Sequence, residues 1–248
     1  VGVEKKYILN WRKGDDMLDI SGKWALVTGA SRGIGLQVSQ ALAEKGCNLV
    51  LHSRNNIHTE ALASTLKSKG VKVIQLQAEL SDSLQVRGLA TEAESKSGGI
   101  DILFNNAAIM TPYRPDYFQI VEDDYLKSFA VNIIAPVILC NSIIPAMIKR
   151  GFGRVVNVTS GIKDEPQLMP YAASKAALDK YVYDMAKHIR GTGVCMNLLD
   201  PGWLRTDLGG PNAPNPVESV LPGALVPVLL DDDTCGKFFC AQDYRERG

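Results

Sequence analysis

Short apolar runs alternate along the chain with segments patterned at helical spacing. WALV (24–27), NLVLH (48–52), VKVIQL (71–76), IDILF (100–104), RVVNV (154–158) and VCMNLL (194–199) read as strands. Several are apolar at both alternations, as parallel strands covered on two faces require. Between them, Ile34, Val38, Ala41 and Leu42 repeat at helical spacing up to Gly46. Further helices are predicted over 59–69, 81–96, about 122–149 and 170 to about 189. Strand–helix alternation of this kind predicts an α/β fold, a doubly wound parallel sheet with right-handed crossovers and helices on both faces. The Pro-rich stretch GGPNAPNPVESVLPG (209–223) predicts a mobile loop followed by a short helix. Residues 1–20 precede the first strand as an expected N-terminal arm, which leaves 21–248 as one domain.

Composition narrows the function classes. Of 248 residues, 46% are apolar and 22% charged, with 27 basic and 27 acidic side chains. A net charge of zero argues against a dedicated nucleic-acid or anionic-membrane surface. Five scattered cysteines, without a CxxC pair, predict free thiols in a reducing cytoplasm and no metal site. The first twenty residues are charged and lack an apolar core, so no signal peptide is expected in this chain. The longest apolar stretch, 130–148, is interrupted by Asn132, Pro136, Asn141 and Pro145, which suits a buried helix better than a membrane span.

The segment VTGASRGIG joins the first strand to the first helix and spaces Gly29, Gly33 and Gly35 as GxxxGxG. Small residues there let the backbone approach a diphosphate at a helix N-terminus. The second strand ends in LHSRNN, without the acid that binds a ribose 2′-hydroxyl in NAD sites. Ser53, Arg54 and Asn55 stand there instead, and Arg32 adds a second cation from the glycine loop. Arginines fork onto phosphates, so this set predicts a 2′-phosphate and hence NADP(H).

Later segments complete a pattern: NNAA (105–108), Asn132 in FAVNIIAP, Ser160 ending NVTS, YAASK with Tyr171 and Lys175, and DPGWLRT (200–206). In order, and each placed after a strand or on the helix that follows, they resemble the short-chain dehydrogenase/reductase family over about 20–240, with the 200–214 segment most like its carbonyl-reductase-like branch. The resemblance implies a Rossmann-fold oxidoreductase that moves a hydride between NADP(H) and a carbonyl or secondary alcohol. It implies a catalytic tetrad of Asn132, Ser160, Tyr171 and Lys175. Gly29, Ser31, Arg32, Ile34 and Gly35 would contact the cofactor phosphates, Glu79 and Leu80 the adenine, Asn106, Ala107 and Ala108 the ribose, and Pro201, Gly202, Trp203 and Thr206 the nicotinamide. Glu79 and Ala108 depart from the family's more frequent aspartate and glycine, and the interval from Ser160 to Tyr171 is short. A substrate loop is expected at about 207–223, and a homodimer or homotetramer built on the long apolar helices. A 3-oxoacyl-thioester or hydroxysteroid substrate, or a non-enzymatic NADP-sensing role, remain as alternatives.

YAASKAALDKYVYDMAK holds two Tyr–Lys pairs four apart, Tyr171 with Lys175 and Tyr183 with Lys187. Ligands of open α/β sheets bind beyond the carboxyl ends of the strands, where the following helices begin. Tyr171 follows Pro170, a first-turn residue. Tyr183 lies roughly 18 Å further along the helix and about 120° around it, so Tyr171 is the expected acid/base. Lys175 is expected to lower the phenol's pKa and bind ribose hydroxyls, Ser160 to hydrogen-bond the substrate oxygen, and Asn132 to hold a water beside Lys175. Met110, Tyr113, Leu168, Met169 and Trp203 are candidates for an apolar substrate pocket.

Overall fold

The computed structural model describes residues 17–245. Seven strands, all parallel, form one sheet in the order β3-β2-β1-β4-β5-β6-β7: β1 Trp24–Val27, β2 Asn48–Ser53, β3 Val73–Gln77, β4 Ile102–Asn105, β5 Gly153–Val158, β6 Val194–Asp200 and β7 Phe238–Cys240. The six sequence-predicted strands are all present. β7 had no counterpart among them: FFC is three residues long and sits within a polar ending, too short for a periodic signal. It pairs with β6 through Leu198, Leu199 and Asp200.

Helices cover both faces. α1 (Gly33–Glu44) and α2 (Glu60–Ser68) pack on one cluster of buried side chains with Leu49, Leu51, Phe104 and Phe239. α3 (Ser83–Ser97), α5 (Ala135–Arg150) and α6 (Met169–Ile189) enclose the other, with Leu103, Val155, Met196 and Leu198. The start of α3 is set by Asp82, whose carboxylate accepts from Leu84 and Gln85 N–H. Its end is set by Gly98 at φ +79°. The expected long helix runs over Glu122–Arg150. It has an irregular centre: α4 (Glu122–Phe129) passes through a π turn at Ala130–Ile134 before α5. Its length and apolarity would suffice to cross a membrane, yet most of it is buried in the fold.

Residues 1–16 of the expected arm lie outside the described residues. The rest of it packs on the body: Met17 bridges Leu230, Leu18 N–H donates to Leu229 O at 2.9 Å, and Ile20 is buried. The expected loop at 207–223 is tied back. Leu204 bridges Asn215, and Arg205 Nη1 donates to the carbonyls of Ala213 and Pro214, both at 3.0 Å. The short helical element expected in this stretch is a 3-10 turn at Val217–Val220, and α7 (Val226–Leu229) follows it.

Candidate active site

The glycine loop is built on close approach. Gly29 has φ +67° and Gly33 φ +57°, a region that side chains with a Cβ resist. Gly35 is required for a different reason: a Cβ there would stand 2.2 Å from the Gly29 carbonyl oxygen. The loop is thereby folded onto the first turn of α1. Arg32, the N-cap, makes no capping bond with its side chain, and no acidic residue occupies the first turn. The N–H groups that open this 12-residue helix, beside a backbone with few side chains, suit a diphosphate. Ser31 and Ile34 flank it, half-buried. Thr206 reaches over the loop, its methyl 3.5 Å from the place of a Cβ on Gly33.

Three side chains brace the loop from beneath. Thr28 Oγ1 accepts from Asn106 N–H at 3.0 Å and Ala107 N–H at 3.1 Å. Asn106 Nδ2 donates to Thr28 O at 2.9 Å. Its side chain is therefore committed to scaffolding, while Ala107 packs against Gly29 and Ala108 is half-buried. Gly29 N–H donates to His52 Nδ1 at 3.2 Å, and the ring's other nitrogen stands 3.1 Å from Ala78 O. Nδ1 is thus the acceptor and Nε2 carries the hydrogen. Burial pushes this imidazole below its usual pKa, so it is neutral.

At the end of β2, Ser53 Oγ donates to Asn55 O at 2.7 Å, and Asn55 Oδ1 accepts from Ile57 N–H at 3.1 Å. Arg54 is exposed. Arg32 is exposed as well but paired with Asp207. Glu79 turns its carboxylate onto Ser81 N–H at 3.0 Å, and Leu80 is buried behind it.

Of the expected tetrad, Ser160, Tyr171 and Lys175 lie together where α6 begins, and Asn132 reaches them through Ser174. Tyr171 and Lys175 are 7% and 3% exposed at the start of α6, whereas Lys187 is exposed and Tyr183 packs on the core, so only the first pair is enclosed. Ser160 stands near the Tyr171 hydroxyl and favours its ionised form. Lys175 Nζ donates to Val158 O at 2.8 Å and stands 5.7 Å from the Tyr171 ring centre. Burial pushes the phenol up to about 12, Ser160 opposes it, and Asp200 adds to it. This reverses the lowering expected from Lys175: desolvation of a neutral-preferring phenol outweighs any help from the ammonium. The same burial brings Lys175 down to about 8, with Asp179 acting the other way.

Asn132 lies inside the π turn, fully buried. Its Oδ1 accepts from Ile109 N–H at 2.9 Å, and its Nδ2 donates to Ile109 O at 2.9 Å and to Ser174 Oγ at 3.0 Å. Ser174 Oγ donates in turn to Tyr171 O at 2.7 Å. The amide thus ties the loop after β4 to α6, with both N–H donors used. Pro136, four residues on, has no N–H to offer the Asn132 carbonyl.

A family model described as short chain dehydrogenase matches residues 23–216. The chain belongs to the short-chain dehydrogenase family. It is 33% identical over 197 residues to a short chain dehydrogenase of Pseudocercospora fijiensis, covering 78% of this chain and 63% of that protein. A short-chain type dehydrogenase/reductase of Picea abies is 32% identical over 198 residues, covering 76% and 73%. Among solved structures, a blue fluorescent protein from a metagenomic library in complex with NADPH superposes with a TM-score of 0.81 at 26% identity, covering 90% of this chain and 97% of that one.

In this member of the family the remaining expected residues lie on the segments after β4, β5 and β6. Pro201 is buried, and Gly202 (φ +79°) donates its N–H to Asp200 Oδ1 at 2.9 Å. Trp203 is 59% exposed, its indole N–H donating to Gly209 O at 2.8 Å. Tyr113 and Met169 are also exposed, and Met110 and Leu168 half-buried. Arg114 N–H donates to Gln167 O at 3.3 Å, which brings the two loops bearing these residues together. Sequence reasoning missed Thr28, His52, Thr159, Ser174 and Asp179. Thr28 and His52 stood inside segments already singled out for the cofactor; only their bonds across strands reveal the bracing. Asp179 carried a signal, its spacing of four from Lys175.

Proposed function

We propose that this chain is an NADP(H)-dependent oxidoreductase that interconverts a carbonyl and a secondary alcohol, with Tyr171 as general acid/base. The observation that carries the reading is the enclosed pair of Tyr171 and Lys175, the ammonium 5.7 Å from the phenol ring centre, with Ser160 beside the hydroxyl. The glycine loop and the open N-terminus of α1 would hold the diphosphate, and Arg32 and Arg54 the 2′-phosphate. Similar solved structures in complex with NADPH or NADP support this choice of cofactor. The nicotinamide supplies the hydride chemistry when bound.

Within the chain, Ser160 orients the substrate oxygen and Tyr171 gives it a proton. A phenol held at about 12 keeps its proton across the neutral range and so has one to donate. Lys175 supplies a positive charge beneath the site. A water beside it would be held by the Asn132 carbonyl, since that residue's side chain is engaged. Exposed Tyr113, Met169 and Trp203 support a bulky, apolar ketone or aldehyde as substrate and a carbonyl-reductase-like activity. Exposed Leu126, Ile134 and Ile148 on the Glu122–Arg150 helix support pairing of identical chains there.

The test is NADPH consumption with a panel of ketones and aldehydes. Tyr171→Phe should lower turnover by about 10²–10⁴-fold and leave NADPH affinity unchanged. A near-wild-type rate in that variant overturns the acid/base role. NADPH binding without turnover of any carbonyl would favour a sensor instead.

A further inference from the structure

Tyr171, Lys175 and Asp179 follow at intervals of four along α6 and so share one helix face. The end of β5 fixes the two charged members. Lys175 Nζ donates to the carbonyl of Val158, and the next residue, Thr159, donates its hydroxyl to Asp179 Oδ1. Thr159 is itself buried and held by its N–H to Leu199 O at 2.8 Å. Ammonium and carboxylate are therefore anchored on consecutive residues of one strand end.

Building on the reading that Tyr171 and Lys175 do the chemistry, we propose that Asp179 is a positioning residue whose carboxylate, oriented by Thr159, keeps Lys175 charged at neutral pH. Burial drives the lysine down to about 8, and the Asp179 charge is the force acting upward. Burial also pushes Asp179 up to about 6, against the Thr159 hydrogen bond and Lys175. The carboxylate is ionised and the amine protonated together between these two values. The groups facing Asp179 are Lys175 on its own helix, the neutral hydroxyl of Thr159 just after β5, and Asp200 from the end of β6, whose charge disfavours ionisation of Asp179. Tyr171 lies two turns away on the same face and also feels Asp200.

The test uses the full chain without cofactor, carrying ¹³C-labelled lysine, with the Lys175 signal assigned by its loss in Lys175→Met. Asp179→Asn keeps an acceptor for Thr159 and removes the charge. Its Lys175 titration midpoint should fall by about one pH unit or more. Thr159→Val, which keeps the carboxylate but removes its donor, should shift the midpoint the same way by less, and serves if the first variant does not fold. An unchanged midpoint in either folded variant overturns the proposal. With a ketone that turns over, the alkaline limb of kcat/KM should move down by the same amount in Asp179→Asn. The lysine titration does not depend on turnover, so a chain that reduces no carbonyl sinks the oxidoreductase reading while the midpoint still decides the role of Asp179.

Discussion

Arg32 Nη1 lies 2.9 Å from Asp207 Oδ2, so an ion pair joins the glycine loop to the start of the 207–223 loop. Both side chains are largely exposed, at 67% and 70%, which limits the pair to about 1 kcal/mol or less. A 2′-phosphate that draws Arg32 must displace this carboxylate. Asp207→Asn is therefore expected to tighten NADPH binding about two- to fivefold at low salt, with the gain fading as salt screens the charges. Calorimetric titration at two ionic strengths checks it; equal or weaker binding in the variant speaks against competition for Arg32.

His52 bridges the glycine loop to the end of β3, taking the Gly29 N–H and facing Ala78 O. His52→Leu keeps a comparable buried volume but orphans both backbone groups, at about 1–3 kcal/mol for an unsatisfied group. The expected outcome is a raised KM for NADPH with kcat little changed, because the loop and not the tetrad is loosened. A variant with wild-type KM would show the ring to be mere filling. In the wild type, ¹⁵N spectra should show a neutral Nε2–H ring well below the usual histidine midpoint, since burial lowers its pKa.

Gly35 and Gly88 are predicted to respond in opposite directions to alanine. A Cβ at Gly35 would meet the Gly29 carbonyl at 2.2 Å, whereas nothing lies within 4 Å of one at Gly88 in α3. Gly35→Ala should abolish NADPH binding and lower Tm. Gly88→Ala should stabilise by about 0.5–1 kcal/mol, from helix propensity alone. For a chain of this length that is a rise of about 1–4 °C. Thermal melts of the two variants decide both claims.

Lys175 gives stability a pH signature. Its folded pKa, about 8, lies below its ordinary value, so the unfolded chain binds more protons once pH exceeds 8. The cost of burying the ammonium is full below pH 8 and is relieved as pH rises from there toward about 10.4, the free-lysine value. Lys175→Met removes that cost but also the bond to Val158 O. The Tm of the variant relative to the wild type should therefore fall steadily between roughly pH 8 and 10, whatever its sign at pH 7. A pH-independent difference would mean that residue 175 does not titrate there.

Much of this was legible in one dimension because its physics is local. Parallel strands buried on two faces leave unbroken apolar runs, and α1 to α6 leave helical periodicity between them. Gly29, Gly33 and Gly35 announced a backbone that a Cβ would obstruct. Rise and rotation set Tyr171 apart from Tyr183 along the helix, and only Tyr171 and its lysine are both buried. Other features had no local trace. β7 exists only because β6 offers it an edge, and the π turn at Asn132 becomes visible only in the helix it interrupts.

The sequence by itself determined the alternation of elements, the glycine turn, and the helix end that presents Tyr171 and Lys175. Only the tertiary structure decided what surrounds them. Burial reverses the direction in which the phenol's pKa was expected to move, and Asn132 spends its amide on Ile109 and Ser174 rather than on water. Asp207 reaches Arg32, and Thr159 brings Asp179 beneath Lys175. Desolvation and pairing depend on which distant segments come to lie together, and spacing along the chain does not record that.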